Sequence, residues 1–253
     1  MPEKIVMKGL VLRETVTKET DKILTVLTAE RGKLPVIARG ARRKNSRIAA
    51  ASELLAFSEL VLYERRGWYL LDEASTIELW DRVRRDVTLL SLASYFAEMT
   101  EAVSTEELPA PETLSLLLNA LYALDTLDKP AALVKAAFEL RLLALSGYEP
   151  LVSECAVCGK AAPDEPLFDP ERGVVLCRNC AGAEARKLLA LDAGSLAAMR
   201  HVLGAEKKRM LSFSLRGETM TRFARACETF SRRQLDRDFR TLDFYKSLAL
   251  PGK

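Results

Sequence analysis

Near Trp80 the spacing of apolar residues changes, and that change constrains the fold more than any single motif in this 253-residue chain. Before it, five segments are rich in Val, Ile, Leu, Thr and aromatic residues: Ile5 to Leu12, Lys22 to Ala29, Lys33 to Arg39, Phe57 to Glu64 and Trp68 to Leu79. Clusters of glycine and charged residues separate them, the pattern of short strands joined by turns. Gly32 and Gly67 sit in two tight breaks, Glu30 to Lys33 and Arg65 to Trp68, where a turn often demands positive φ. Five such strands predict a small closed barrel. The long connection between the third and fourth, holding a basic run and then a helical turn at Ile48 to Glu53, matches an OB-fold barrel over residues 1–80.

After Trp80 the period becomes helical. A helix from about Val83 presents Leu92, Phe96, Met99 and Val103 on one face, and Pro111 opens another carrying Leu114, Leu117, Leu121 and Leu124. A third runs from Pro130 to Ser146 with Leu133, Ala137, Leu140 and Ala144 inward and Gly147 as its stop. Further helices are expected at Asp192 to Leu203 and at Glu218 to Leu235, the latter buried through Met220, Phe223, Cys227 and Phe230. The expected fold class is therefore α+β and multidomain: the barrel at 1–80, and a helical domain at 81–253 with a four-cysteine, zinc-ribbon-like module inserted at 151–185.

That module rests on Cys155-Ala156-Val157-Cys158 and Cys177-Arg178-Asn179-Cys180, with eighteen residues between the pairs. Two residues between paired thiolates let both sulfurs reach one ion, and two such knuckles complete a tetrahedron. Zn²⁺ bound by Cys155, Cys158, Cys177 and Cys180 is the expected occupant, in a structural role because four thiolates leave no position for water. An iron site, a thioredoxin-like redox pair and metal-free thiols are the alternatives. The fifth cysteine, Cys227, falls on an apolar helix face and reads as packing.

Other chemistries find little support. The one histidine, His201, has no neighbouring nucleophile in sequence, and neither GxxxxGK[ST] nor a GxGxxG opening a helix is present. Hydrophobic residues at 49% and charged residues at 29% suit a globular protein. The longest apolar stretch, Leu114 to Leu124, is too short to span a membrane, and charges interrupt the N-terminal segment where an export signal needs an apolar run. A cytoplasmic location without membrane partners is expected.

The net charge of +3 names no partner, but its distribution is uneven. Arg31, Lys33, Arg39, Arg42, Arg43, Lys44 and Arg47 occur with no acidic residue from 31 to 47. On barrel loops such cations make a track for phosphates; a solvated loop is the plainer reading. A second basic set, from Lys207 to Arg240, is diluted by Glu218, Glu228, Asp236 and Asp238.

Several tracts resemble one family. Gly9-Leu10-Val11-Leu12-Arg13, Glu19-Thr20-Asp21-Lys22-Ile23-Leu24, Thr28-Ala29-Glu30-Arg31-Gly32-Lys33 and Ala38-Arg39-Gly40-Ala41-Arg42 look like the N-terminal signature of the bacterial recombination mediator family RecO. Phe138-Glu139-Leu140-Arg141-Leu142-Leu143, Gly147-Tyr148-Glu149-Pro150-Leu151 and Cys155-Ala156-Val157-Cys158-Gly159-Lys160 are similar to its helical domain entering the cysteine loop. Where family members often carry paired glycines before the third cysteine, Arg172 to Leu176 has one. The resemblance implies a non-enzymatic, nucleoid-associated DNA repair protein acting after DNA damage. It would bind single- and double-stranded DNA, anneal complementary strands, and work with RecR and single-strand-binding protein to load RecA. The short acidic-apolar tail of the single-strand-binding protein is expected to dock between the helices at Pro111 to Leu127 and Pro130 to Ser146, its carboxylate met by Lys135 or Arg141. A zinc-ribbon RNA-binding or RNA-modifying protein and a protein-interaction scaffold are the rival readings.

Overall fold

Strand β1 (Lys4–Thr17) is long enough to serve two neighbours: its first half pairs antiparallel with β4 (Phe57–Arg65), and from Gly9 onward it pairs with β2 (Asp21–Thr28). A computed structural model of the chain describes residues 4–65 and 67–249. Gly9 lies where the strand passes from one neighbour to the other, and a Cβ there would stand 2.5 Å from Val26 Cγ1, so only glycine lets the strands approach this closely. β2 pairs with β3 (Gly32–Ala38), β3 runs parallel to the start of β5 (Trp68–Glu78), and β5 pairs with β4. The result is a closed five-stranded barrel in the order β1-β2-β3-β5-β4. Its interior is filled by Met7, Val11, Leu24, Val26, Leu34, Val36, Leu60, Leu62 and neighbouring residues. Every second side chain of β3 points in, which is what the period of a pleated strand requires. The expected barrel is thus present, with Gly32 and Gly67 at positive φ in two of its three hairpins and a 3₁₀ turn at Ala50–Ser52 in the long connection.

Eight helices follow among the described residues: α1 (Asp81–Arg85), α2 (Val87–Val103), α3 (Pro111–Asp125), α4 (Ala131–Leu145), α5 (Arg178–Ala181), α6 (Ala193–Gly204), α7 (Gly217–Leu235) and α8 (Arg240–Ala249). The single helix expected from Val83 is divided because Asp86 takes an extended conformation and its carboxylate accepts from Thr88 N and Leu89 N, capping α2. Met220, Val103 and Ala144 are half-buried rather than core. α8 was not among the expected helices.

The described residues up to Leu127 and those from Phe239 onward form one compact unit; Asp128–Asp238 forms a second. The expected helical domain is therefore distributed over both. In the first unit α8 packs on α2, with Tyr95 and Phe239 in edge contact at 5.4 Å between ring centroids. In the second unit α4 is buried almost all round and packs against α6 and α7, as a central helix must when its apolar residues occupy every face. The cysteine module belongs to this unit. It is a small sheet of β6 (Leu151–Cys155), β7 (Leu167–Asp169), β8 (Val174–Leu176) and β9 (Leu189–Ala190), ordered β6-β8-β7-β9. Phe168 meets Phe230 of α7 edge-on at 5.5 Å, and Arg200 of α6 donates to the carbonyls of Val152, Ser153 and Ala161.

Candidate functional site

The four cysteines expected to act together are brought together. Cys155 ends β6 and Cys158 follows in a turn closed by Gly159 N–H donating to Cys155 O at 2.9 Å, with Gly159 at φ 68°. Cys177 caps α5 and Cys180 lies one turn along it. All four sulfurs lie within 4.8 Å of one another, and Cys158 and Cys177 are 3.8 Å apart. A tetrahedron with metal–sulfur bonds of about 2.3 Å has edges of about 3.8 Å, so the donor set fits one metal ion. Electrostatics point the same way. Burial works against ionising Cys155, yet backbone N–H groups of Cys158, Cys177 and Val157 aimed at its sulfur bring the thiol down to about 6. Cys180, hydrogen-bonded to Cys158 and partly desolvated, is pushed up to about 12. The cluster thus accepts one negative charge readily and resists more, unless a cation shares the thiolates.

The seven basic residues expected to form one track lie at two ends of the barrel. Arg39, Arg42, Arg43, Lys44 and Arg47 are exposed on the connection after β3. Successive turns shape this connection, through Arg43 N to Gly40 O and Ser46 N to Arg43 O, and it is clasped to the β1–β2 turn. There Gly40 N–H donates to Asp21 at 2.8 Å and Arg42 N–H to Thr20 O at 3.0 Å. The Gly40 N–H holds the Asp21 carboxyl below the usual carboxylate range. Among the described residues no carboxylate stands within ion-pair distance of these five cations.

Arg31 and Lys33 lie at the other end of β3, a strand of seven residues that spans roughly 20 Å. Their environment is acidic. Arg31 donates to Tyr69 Oη at 2.7 Å and has Glu107 at 3.6 Å and Glu64 at 3.9 Å, while Lys33 donates to the backbone carbonyl of Glu101 at 3.1 Å. Tyr69, Glu107 and Asp21 are the residues that sequence reading did not single out. No local signal marks them, because each acts on a partner 19 to 38 residues away.

Residues 1–80 match the family described as Recombination protein O N terminal, and residues 84–243 that described as Recombination protein O C terminal. The chain belongs to the RecO family. DNA repair protein RecO of Acetivibrio thermocellus is 30% identical over 240 residues, 95% of each chain. Its counterpart in Symbiobacterium thermophilum is 30% identical over 243 residues, 95% of this chain and 96% of the other. That of Heliobacterium modesticaldum is 36% identical over 201 residues, 78% of this chain and 72% of the other.

In this RecO-family chain the two cations expected to receive a partner's carboxylate are engaged within the fold. Lys135 is 6% exposed, with its ammonium 2.8 Å from both Glu139 and Glu228. Arg141 donates to the carbonyls of Val202 and Leu203 at the end of α6. Burial obliges Lys135 to find its partners in the same unit, and half-buried Arg141 finds its own at the end of α6. His201 contacts Arg209 O at 3.0 Å and the ring of Phe213, a packing role. No described helix is long and apolar enough to cross a membrane.

Proposed function

We propose that the protein is a recombination mediator in DNA repair that works by binding alone and not by bond chemistry. On this reading the N-terminal barrel binds single- and double-stranded DNA through the Arg39 to Arg47 connection. The chain anneals complementary strands and acts with RecR and single-strand-binding protein to load RecA. Zn²⁺ held by Cys155, Cys158, Cys177 and Cys180 shapes the module between β6 and α5. The observation that carries the reading is the set of five exposed cations held on a shaped loop of an OB-like barrel, with no carboxylate within ion-pair distance of them among the described residues. Such a surface lowers phosphate repulsion between two strands wherever they lie and needs no base preference. Family membership supports the repair role, since the relatives carry the name DNA repair protein.

The test is annealing of complementary strands coated with their single-strand-binding protein, without nucleotide. Duplex should form faster with the protein than without it, and Arg39→Glu/Arg42→Glu/Arg43→Glu should remove most of the gain. An absolute need for ATP would refute a mediator driven by binding energy.

A further inference from the structure

The end of the barrel that carries Arg31 is covered by a segment of the chain's own backbone. Between α2 and α3 the chain crosses the β2–β3 hairpin, held at one side by Lys33 N–H donating to Thr105 O at 3.2 Å and at the other by Ala110 N–H donating to Ala29 O at 2.9 Å. Gly32 lies beneath it at φ 57°, where a Cβ would stand 2.1 Å from Leu108 O, so a side chain there would push the segment away. Glu107 occupies the crest between the two anchors, with left-handed backbone at φ 57° that a residue other than glycine seldom adopts. Its carboxylate accepts from Tyr69 Oη at 2.6 Å and sits 3.6 Å from Arg31 Nη1, while Arg31 also donates to Tyr69 Oη at 2.7 Å. A guanidinium and a buried tyrosine hydroxyl thus converge on one carboxylate, and both are donors suited to a phosphate oxygen. β5 begins beside this point with Trp68, 41% exposed at the hairpin between β4 and β5. That hairpin belongs to the surface OB-folds use for oligonucleotides, and aromatic residues there give bases a stacking face.

We propose that Arg31 and Tyr69 form a second phosphodiester subsite for single-stranded DNA, at the opposite end of β3 from the exposed loop, which Glu107 occupies until a strand displaces it. Glu107 acts as an internal stand-in for phosphate. Its two flanking backbone anchors hold the segment in place while the side chain swings off, so displacement needs no unfolding. The device favours strands long enough to engage both ends of the barrel over short ones that reach only the exposed loop. This inference rests on the DNA-binding reading above.

The experiment measures binding of labelled single strands to the full chain at several salt concentrations, for the parent, Glu107→Gln, Arg31→Ala, Arg31→Ala/Glu107→Gln and Glu59→Gln. The last removes the same charge from an exposed barrel position away from Arg31. Glu107→Gln should tighten binding by about threefold or more and steepen the salt slope by about 0.7, the contribution of one further single-strand phosphate. Glu59→Gln should give a smaller gain, and Arg31→Ala should abolish the gain of Glu107→Gln. Equal gains from Glu107→Gln and Glu59→Gln, or a gain that survives Arg31→Ala, would overturn the subsite while leaving DNA binding intact. Absence of DNA binding by the parent and every variant would instead refute the DNA-binding reading, and the subsite with it.

Discussion

Lys135 is a charged residue at an almost fully buried position, and it is tolerated because two carboxylates meet it. Burial alone lowers a lysine's affinity for its proton, but Glu139 and Glu228 outweigh that, so the ammonium is held above its ordinary range. Its contribution to stability is fully present below the unfolded value of about 10.4 and is lost only as pH rises through the higher folded value. Lys135→Met would leave the fully buried Glu139 beside Glu228 without the ammonium between them. The expected cost is about 3–5 kcal/mol, read as a lower urea midpoint at pH 7. A change within about 0.5 kcal/mol would show that the triad is not what stabilises the contact of α4 with α7. Nothing in the sequence distinguishes Lys135 from an exposed helical lysine, because Glu228 lies 93 residues away.

At the scale of elements, two short segments carry the proposed function and were legible in different degrees. The CxxC pairs need only local turns to aim their sulfurs, so spacing alone predicts the cluster. Cys155→Ser should lower the metal content of protein purified without added metal from about one ion per chain to near zero, since structural zinc contributes about 10–16 kcal/mol of apparent binding free energy. Helical circular dichroism should persist, because α4, α6 and α7 have their own packing. The basic connection was legible as charge but not as geometry. Seven cations in one run suggested one track, whereas β3 carries two of them away to an acidic end. With about five phosphates neutralised, the slope of log affinity against log salt on single strands should lie near −3.5, and reversing Arg39, Arg42 and Arg43 should flatten it by about 2. An unchanged slope would place the DNA track elsewhere.

For the whole molecule, the chain returns on itself. Phe239, Leu242 and Tyr245, from the last described helix and the residue before it, are buried in the same unit as the barrel, and Phe239 meets Tyr95 of α2. Phe239→Ala should therefore destabilise the unit that begins with β1, although some 160 residues separate it from the barrel, by about 3–5 kcal/mol of lost burial and residual cavity. Tryptophan fluorescence reports it well, since Trp68 and Trp80 both lie in that unit. A fluorescence transition unaffected by Phe239→Ala would mean that α8 adds nothing to that core.

By itself the sequence determined the five strands, the glycine turns of two hairpins, most of the helices and the clustering of the four thiols. These follow from local periodicity, turn chemistry and ligand spacing, which act over a few residues. Only the tertiary structure decided the division of the chain into two units, the place of α8, the burial of Lys135 and the meeting of Arg31, Tyr69 and Glu107. Each depends on groups distant in sequence that become neighbours only when burial has to be satisfied by partners, and no local pattern encodes which partner that will be.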